Sequence, residues 1–121
     1  MADKTVLLVD DSRVARMMVR KMIEQNRPGW MVVEAVDGED GIAKFQAAHP
    51  DFVIMDVNMP GISGIEAARR IKAGSPDAVI SLLTANIQEP LRLQAAELGL
   101  GFMSKPARDD ALLDFLTVGA P

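Results

Sequence analysis

The sequence predicts an α/β fold, a doubly wound five-stranded parallel sheet with five helices on its two faces. Short apolar runs typical of buried strands alternate five times with helical periodicity, and strands separated by helices pair in parallel. Hydrophobic residues make up 49% of the chain but aromatic residues only 4%, so the core must consist mainly of aliphatic side chains and methionine. A chain of 121 residues has room for one such core, and we expect a single domain over residues 1–121.

The first strand is expected at residues 5–9, an apolar run too short for a signal peptide or a membrane span. Apolar side chains then recur at helical spacing from Val14 to Met22, which predicts the first helix. A series of helix-breaking residues that begins at Asn26 marks the end of this helix.

The second strand is expected at residues 31–36, a run rich in β-branched and aliphatic side chains. Asp37 is a favoured residue type for a helix N-cap, and Ile42 and Phe45 lie on one face of the helix that it would start. This second helix must stop before Pro50, because the residue that precedes a proline disfavours helical backbone.

The third strand ends on a carboxylate. Residues 52–55 form a continuous apolar run, as in a strand buried on both faces, although periodicity alone would also fit a buried helix segment. Asp56 closes the run before a Pro-Gly turn. Ser63 and Glu66 have the spacing of a capping box for the third helix, and Gly74 is placed to end it.

The fourth strand is expected at residues 78–83 and ends at Thr84. Since proline fits best in the first turn of a helix, Pro90 predicts a fourth helix that starts near Glu89. A short fifth strand follows at residues 100–103. The last helix should turn three apolar side chains inward, those of Leu112, Phe115 and Leu116.

Unusual polar residues follow several of these strands, namely Asp10 and Asp11 after the first, Asp56 after the third, Thr84 after the fourth and Lys105 after the fifth. Since the carboxyl ends of parallel strands lie at one edge of a sheet, these side chains should converge on one site. Taken singly, each has an ordinary alternative, a helix cap for the acids and the threonine and a solvated surface charge for the lysine. Their joint placement favours a site.

Three carboxylates at one edge would repel one another and destabilise the fold unless a cation lies among them. The ligands on offer are carboxylate and carbonyl oxygens, which favours Mg²⁺ or Mn²⁺, and Lys105 can add a second positive charge. The one histidine, His49, should lie at the opposite end of the third strand and is interpreted as a surface loop residue.

Composition argues against several classes of function. Thirteen basic and seventeen acidic residues give a formal net charge of -4, and no basic run exceeds Arg69-Arg70, which argues against nucleic acid as a direct partner. The chain has no cysteine, which excludes disulfides, thiol chemistry and cysteine metal sites. A reducing cytoplasm fits this lack of cysteine, and the short first apolar run leads us to expect a cytoplasmic protein without membrane insertion.

Four blocks of residues carry a family resemblance: Asp10-Asp11-Ser12, Asp56 with Met59-Pro60-Gly61 behind it, Thr84-Ala85, and Lys105-Pro106 preceded by Phe102. In these blocks, and over essentially its whole length, the chain resembles the receiver domain of two-component response regulators, most of all the single-domain type exemplified by chemotaxis response regulators. The resemblance implies a flavodoxin-like sheet with strand order 2-1-3-4-5. It also implies a phosphoacceptor switch protein that catalyses only its own phosphorylation and dephosphorylation.

By that resemblance Asp56 is the phosphoacceptor and attacks a phosphohistidine or a small acyl phosphate. Asp11, Asp56 and the backbone carbonyl of Asn58 would bind Mg²⁺ directly. Asp10 would act mostly through water. Since phosphoryl transfer passes through a loose, highly charged transition state, positioning and cations would supply most of the catalysis.

The resemblance also implies a switch. Lys105 would pair with Asp56 and then with a phosphoryl oxygen, and Thr84 would donate its hydroxyl to another phosphoryl oxygen. The small Ala85 would leave the approach open. Phe102 stands where the family often has tyrosine, and would move between exposed and buried positions.

The phosphodonor implied is a histidine kinase or a histidine phosphotransfer protein. The output partner would bind at the fourth helix, the fifth strand and the fifth helix. Besides Phe102, the residues expected on that partner face are Arg92, Ala96, Met103 and Arg108. Because this face lacks a basic cluster, the partner is expected to be a protein, either a separate target or a second copy in a self-dimer.

Two interpretations from other classes remain. A phosphatase of the haloacid dehalogenase type also forms an aspartyl phosphate, but its Asp-X-Asp-X-Thr pattern is missing after Asp11, and 121 residues leave no room for a cap domain. The other alternative is a phosphate-independent protein-interaction module with the same fold. Such a module would normally have lost part of the acid, threonine or lysine set, and here the set is complete.

Overall fold

The structure is a computed structural model that describes residues 3–86 and 88–118 of the chain. The strands in these residues are β1 (Thr5–Val9), β2 (Met31–Ala35), β3 (Phe52–Asp56), β4 (Ile80–Thr84) and β5 (Gly101–Ser104). The helices are α1 (Arg13–Asn26), α2 (Gly38–Ala48), α3 (Gly64–Gly74), α4 (Glu89–Leu98) and α5 (Asp109–Val118). All strand pairs are parallel, in the order β2-β1-β3-β4-β5. The predicted fold class and strand order are therefore confirmed.

Helices cover both faces of the sheet because successive side chains of a strand point to opposite faces. On one face α2, α3 and α4 pack against strand residues such as Leu7 and Val53. On the other face α1 and α5 pack against their chain neighbours, such as Leu8 and Ile54. The three apolar residues predicted to face inward from the last helix are all buried: Leu112, Phe115 and Leu116.

Polar side chains cap three of the helices. Ser12 accepts a backbone hydrogen bond at the start of α1, and Asp37 and Ser63 do the same for α2 and α3. Only half of the predicted capping box forms at α3, because the Glu66 carboxylate binds the arginines three and four residues later. None of the helices in the described part of the chain is long and apolar enough to cross a membrane.

Several strand boundaries differ slightly from those predicted. Val36 lies outside β2, and its N–H donates to the carboxylate of Asp40 at 3.0 Å. The N–H of Leu100 donates to the carbonyl of Ala95 at 2.9 Å and closes α4, so β5 begins one residue later than expected. The predicted start of α4 at Glu89 is confirmed.

Candidate functional site

The carboxyl edge of the sheet brings the candidate residues together. Asp10 comes one residue after the end of β1, and Asp56 and Thr84 are the last residues of β3 and β4. These three strands are neighbours in the sheet, and the register pairs Asp56 with Leu83, the residue before Thr84. The topology therefore places all three polar side chains at the same end of the central strands.

The carboxylates of Asp10, Asp11 and Asp56 form a cluster in which each offers an oxygen within 4.8 Å of the other two. Asp10 and Asp56 are only 1% and 3% exposed, whereas Asp11 is exposed. The N–H of Ser12 donates to the Asp10 carboxylate at 2.9 Å, while the Ser12 hydroxyl caps α1. Ser12 therefore caps α1, and neither Asp10 nor Asp11 serves as the helix cap. Both acids belong to the carboxylate cluster instead.

This cluster fits a hard divalent cation. Its donor atoms are carboxylate oxygens, and Mg²⁺ binds through one or two carboxylates while it keeps several waters. Asp11 leaves one side of the cluster open to water, and Asn58 lies exposed two residues after Asp56. Three carboxylates face one ammonium group here, so the site carries excess negative charge when all three acids are ionised.

The Lys105 ammonium bridges the two buried acids. Its Nζ lies 3.1 Å from Oδ2 of Asp10 and 3.1 Å from Oδ1 of Asp56. The sequence led us to expect a pair with Asp56, and the contact with Asp10 is additional. Burial opposes the charge on Lys105, but the hydrogen bonds with Asp10 and then Asp56 outweigh it and raise the pKa of the ammonium. Lys105 therefore remains charged beside the acids.

At Asp56 burial outweighs the hydrogen bond with Lys105, so the uncharged form is favoured, unlike at Lys105. Burial, followed by the charge of Asp10, raises the pKa of Asp56 above its ordinary value, although the hydrogen bond from Lys105 acts to lower it. The ionised carboxylate is therefore held in an unfavourable environment. Additional positive charge at this edge would favour the ionised form.

Thr84 is 1% exposed and is engaged by the loop that follows β4. Its hydroxyl donates to the carbonyl of Asn86 at 3.3 Å and accepts from the N–H of the same residue at 3.2 Å. Ala85, between them, is exposed. To reach a group bound at Asp56, the Thr84 hydroxyl would have to give up its contact with Asn86.

Gly64 holds the loop after β3 against the phosphoacceptor candidate. Its N–H donates to the carbonyl of Val57 at 2.9 Å, and a Cβ at this position would lie 1.9 Å from the backbone oxygen of Asp56. Sequence reasoning placed Gly64 only within a capping box and missed this role. A glycine at the first position of a helix was the available signal, but close backbone approach is visible only in three dimensions.

A groove of about 320 Å³ lies beside the site and was also missed. It is apolar, and it runs between α1 and the segment after β5. Its lining residues are Ala15, Met18, Val19, Met22, Leu83, Ala85, Lys105, Pro106 and Ala107. The helical spacing of the apolar residues from Val14 to Met22 predicted α1 but not this groove, beside which Met18 is 55% exposed.

The expected partner face needs one correction. Arg92, Ala96 and Arg108 are exposed, and Phe102 is half-buried against the α4 side of the sheet. Met103 is only 5% exposed and packs in the core under α1 and α5. Because adjacent strand residues face opposite sides of a sheet, Met103 points into the core where Phe102 points towards α4, and the expectation of an exposed Met103 on the partner face was wrong. His49 is exposed at the end of α2, away from the site.

Comparisons with known proteins agree with this geometry. The family model described as the response regulator receiver domain matches residues 6–117. The response regulator UvrY of Escherichia coli is 39% identical over 103 residues, which are 84% of this chain and 47% of UvrY. The chemotaxis protein CheY of Thermotoga maritima is 33% identical over 115 residues, covering 93% of this chain and 94% of CheY. Vibrio cholerae CheY4 superposes with a TM-score of 0.87 at 33% identity, over 96% of this chain and 98% of CheY4.

The relatives differ in how much of their length the match includes. The chain spans about half (47%) of the length of the UvrY relatives that it matches. It spans 94% of the length of the Thermotoga CheY. The family match extends over nearly all of the described residues, and it includes all four blocks of site residues at the edge of the sheet. The chain therefore belongs to the family of response regulator receiver domains.

Proposed function

We propose that this receiver domain is a switch that accepts a phosphoryl group on Asp56, in the cytoplasm, and passes the change to a protein partner. The observation that carries the proposal is the environment of the Asp56 carboxylate. The Asp56 side chain is 4% exposed, lies 3.1 Å from the Lys105 ammonium and is clustered with two further acids. Mutually repelling carboxylates reduce the stability of a fold, and such clusters are typical of functional sites.

Asp56 supplies the nucleophile in this proposal. One carboxylate oxygen forms a bond to the phosphorus of a phosphohistidine or a small acyl phosphate. The bond from phosphorus to the donor breaks, and its electron pair leaves with the donor's nitrogen or oxygen. Lys105, next to Oδ1 of Asp56, is placed to accompany a phosphoryl oxygen as charge builds up. The domain acts only on its own phosphorylation and dephosphorylation.

Asp11, Asp56 and the backbone carbonyl of Asn58 would hold Mg²⁺ or Mn²⁺ directly. The bound ion would supply positive charge that offsets both the acids and the phosphoryl oxygens. Asp10 would act through water, and its contacts support this assignment. Its two carboxylate oxygens are already engaged, one by the Ser12 N–H and the other by the Lys105 ammonium.

The phosphodonor would be a histidine kinase or a histidine phosphotransfer protein. A donor that brings a phosphohistidine to Asp56 must approach the exposed side of this edge. The groove beside Lys105 opens there, next to apolar α1 side chains of which Val14 and Met17 are 66% and 57% exposed. A donor helix bound at this surface would bury these side chains.

The output would pass through Thr84. A phosphoryl group on Asp56 adds about two negative charges and new acceptor oxygens next to β4. The Thr84 hydroxyl would exchange Asn86 for a phosphoryl oxygen, and Phe102 would move inward into the space vacated under α4. The changed surface of α4, β5 and α5 would then bind an output protein or a second copy of the domain.

The first test uses acetyl phosphate with Mg²⁺ and measures intact mass. The parent should gain the mass of one phosphoryl group, and Asp56→Asn should gain none. Asp77→Asn is the matched control, since it makes the same change at an exposed position. If Asp56→Asn is phosphorylated at the parental rate, the assignment of the site is wrong. A parent that takes up no phosphoryl group would favour a phosphate-independent interaction module.

The second test addresses the coupling and uses beryllofluoride as a phosphoryl mimic. Amide hydrogen exchange of the parent should change both at Asp56 and around Phe102. Thr84→Ala should respond at Asp56 but not around Phe102. The coupling model fails if the changes in the parent stay at Asp56, or if they spread to Phe102 equally in Thr84→Ala.

A further inference from the structure

The side chain of Arg16, on α1, links the turn after β1 to β2. Its Nη1 donates to the backbone carbonyl of Asp10 at 2.7 Å, and its Nε donates to Oε1 of Glu34 at 2.8 Å. The Arg16 side chain is 12% exposed. A guanidinium group can serve both acceptors at once because its donors form a rigid planar fork.

These contacts matter because Asp10 is held at several of its polar groups. Its N–H donates to the carbonyl of Ala35, and its carboxylate is engaged by Ser12 and Lys105. Arg16 holds the remaining backbone group, the carbonyl oxygen. That carbonyl belongs to the same planar peptide unit as the N–H of Asp11. Fixing its direction therefore fixes the backbone from which the Asp11 side chain extends.

Glu34 holds the guanidinium in place. It lies on β2 and is paired in register with Leu8 of β1. Its second oxygen accepts from Nη1 of Arg20 at 2.6 Å. Arg16 and Arg20 therefore share one carboxylate, but among the described contacts only Arg16 reaches the turn that carries Asp10 and Asp11.

We propose that Arg16, oriented by Glu34, is a positioning residue that aims the acids of the β1–α1 turn at the metal site. This inference rests on the proposed function, since it assumes that Asp11 binds Mg²⁺. Outer partners of metal ligands commonly affect metal affinity about 10-fold to 100-fold. Arg16 would act in this way without touching the ion.

The sign of the effect separates positioning from simple electrostatics. Arg16 is a positive charge near a cation site, so its field alone opposes Mg²⁺ binding. If Arg16 acted only through its field, its removal would strengthen Mg²⁺ binding. If Arg16 positions the turn, its removal weakens Mg²⁺ binding even though a repelling charge is lost.

The test is calorimetric titration of Mg²⁺ into the parent, Arg16→Ala and Arg20→Ala. Both variants lose one positive charge and one contact with Glu34, but only Arg16→Ala loses the contact with Asp10. We expect binding about 10-fold weaker in Arg16→Ala and within about twofold of the parent in Arg20→Ala. Arg16→Met, which keeps the apolar stem but no donor, should behave like Arg16→Ala and serves if that variant does not fold.

Urea unfolding followed by Trp30 fluorescence checks that each variant is folded. Trp30 stacks on Phe52, the first residue of β3, at the end of the sheet opposite the acids. An Arg16 variant that is less stable but binds Mg²⁺ as tightly as Arg20→Ala, or more tightly, would overturn the inference. A parent that takes up no Mg²⁺ would overturn the proposed metal site and this inference with it.

Discussion

Replacing Lys105 by methionine removes the charge between Asp10 and Asp56 but keeps a side chain of similar length. Each hydrogen bond to a carboxylate contributes roughly 1.5–3 kcal/mol. The Lys105 side chain is 26% exposed, which places each bond at the lower end of that range. We therefore expect Lys105→Met to lose about 3 kcal/mol of unfolding free energy at pH 7.5 without metal. For a chain of this size, the melting temperature should fall by roughly 10 °C.

The loss should shrink in acid. Burial and then the charge of Asp10 raise the pKa of Asp56, whereas the hydrogen bond from Lys105 lowers it. Without Lys105 the pKa of Asp56 rises further, so Asp56 takes up a proton at a higher pH. Once protonated, Asp56 carries no charge for the ammonium to stabilise. Lys105→Met therefore loses the most unfolding free energy above the pKa of Asp56 in the folded variant. This loss decreases as the pH falls through that pKa.

Urea unfolding at pH 7.5 and at pH 5, followed by circular dichroism, measures the two losses. Arg108→Met is the matched control, because it removes the same charge from a side chain that is 75% exposed and paired with Asp110 at the surface. Its effect should stay within about 0.5 kcal/mol. The reasoning is refuted if Lys105→Met loses no more stability than Arg108→Met, or if its loss is the same at both pH values.

Two further predictions concern stability. Gly64→Ala should cost at least about 3 kcal/mol because its Cβ would lie 1.9 Å from the Asp56 backbone oxygen, whereas Gly74→Ala, with nothing within 4 Å, should gain up to about 1 kcal/mol. Equal urea midpoints for this pair would contradict the clash. Asp56→Asn should raise the melting temperature at pH 7.5 without metal, since a carboxyl with a raised pKa costs stability above that pKa and none below its unfolded value. The increase in the melting temperature of Asp56→Asn should vanish in acid. A melting temperature below that of the parent at pH 7.5 would contradict this prediction.

The fold was predictable because local and tertiary signals agree. Residues 52–55 are apolar without alternation, and the strand that they begin is buried at every position in the middle of the sheet. Ser63 and Asp37 have side chains that favour the helix starts where they are found. The convergence of the acids followed from topology, because parallel strands with helical crossovers end at one edge.

Side-chain direction within the site could not be predicted from the sequence. Asp10 and Asp11 are chemically identical neighbours, and the backbone of the turn, where the Ser12 N–H binds Asp10, decides which of them is buried. The error at Met103 has a different cause, since alternation along β5 turns Met103 away from Phe102 and into the core under α1 and α5. The direction of the Met103 side chain therefore follows from the period of a strand.

The loop after β4 suggests how a change at Asp56 could spread. The Thr84 hydroxyl makes two neutral hydrogen bonds with Asn86, and each contributes about 1 kcal/mol. A hydrogen bond from this hydroxyl to a charged phosphoryl oxygen would contribute more. The difference is small, as a reversible switch requires. α4 is suited to follow the loop, because Gln88 makes no side-chain capping bond in the described structure and Ala95 is the one buried residue among those described in this helix. A shift of α4 would move Ala95 and the partly buried Leu91 and Leu98 relative to the sheet, and would expose a new surface beside Phe102.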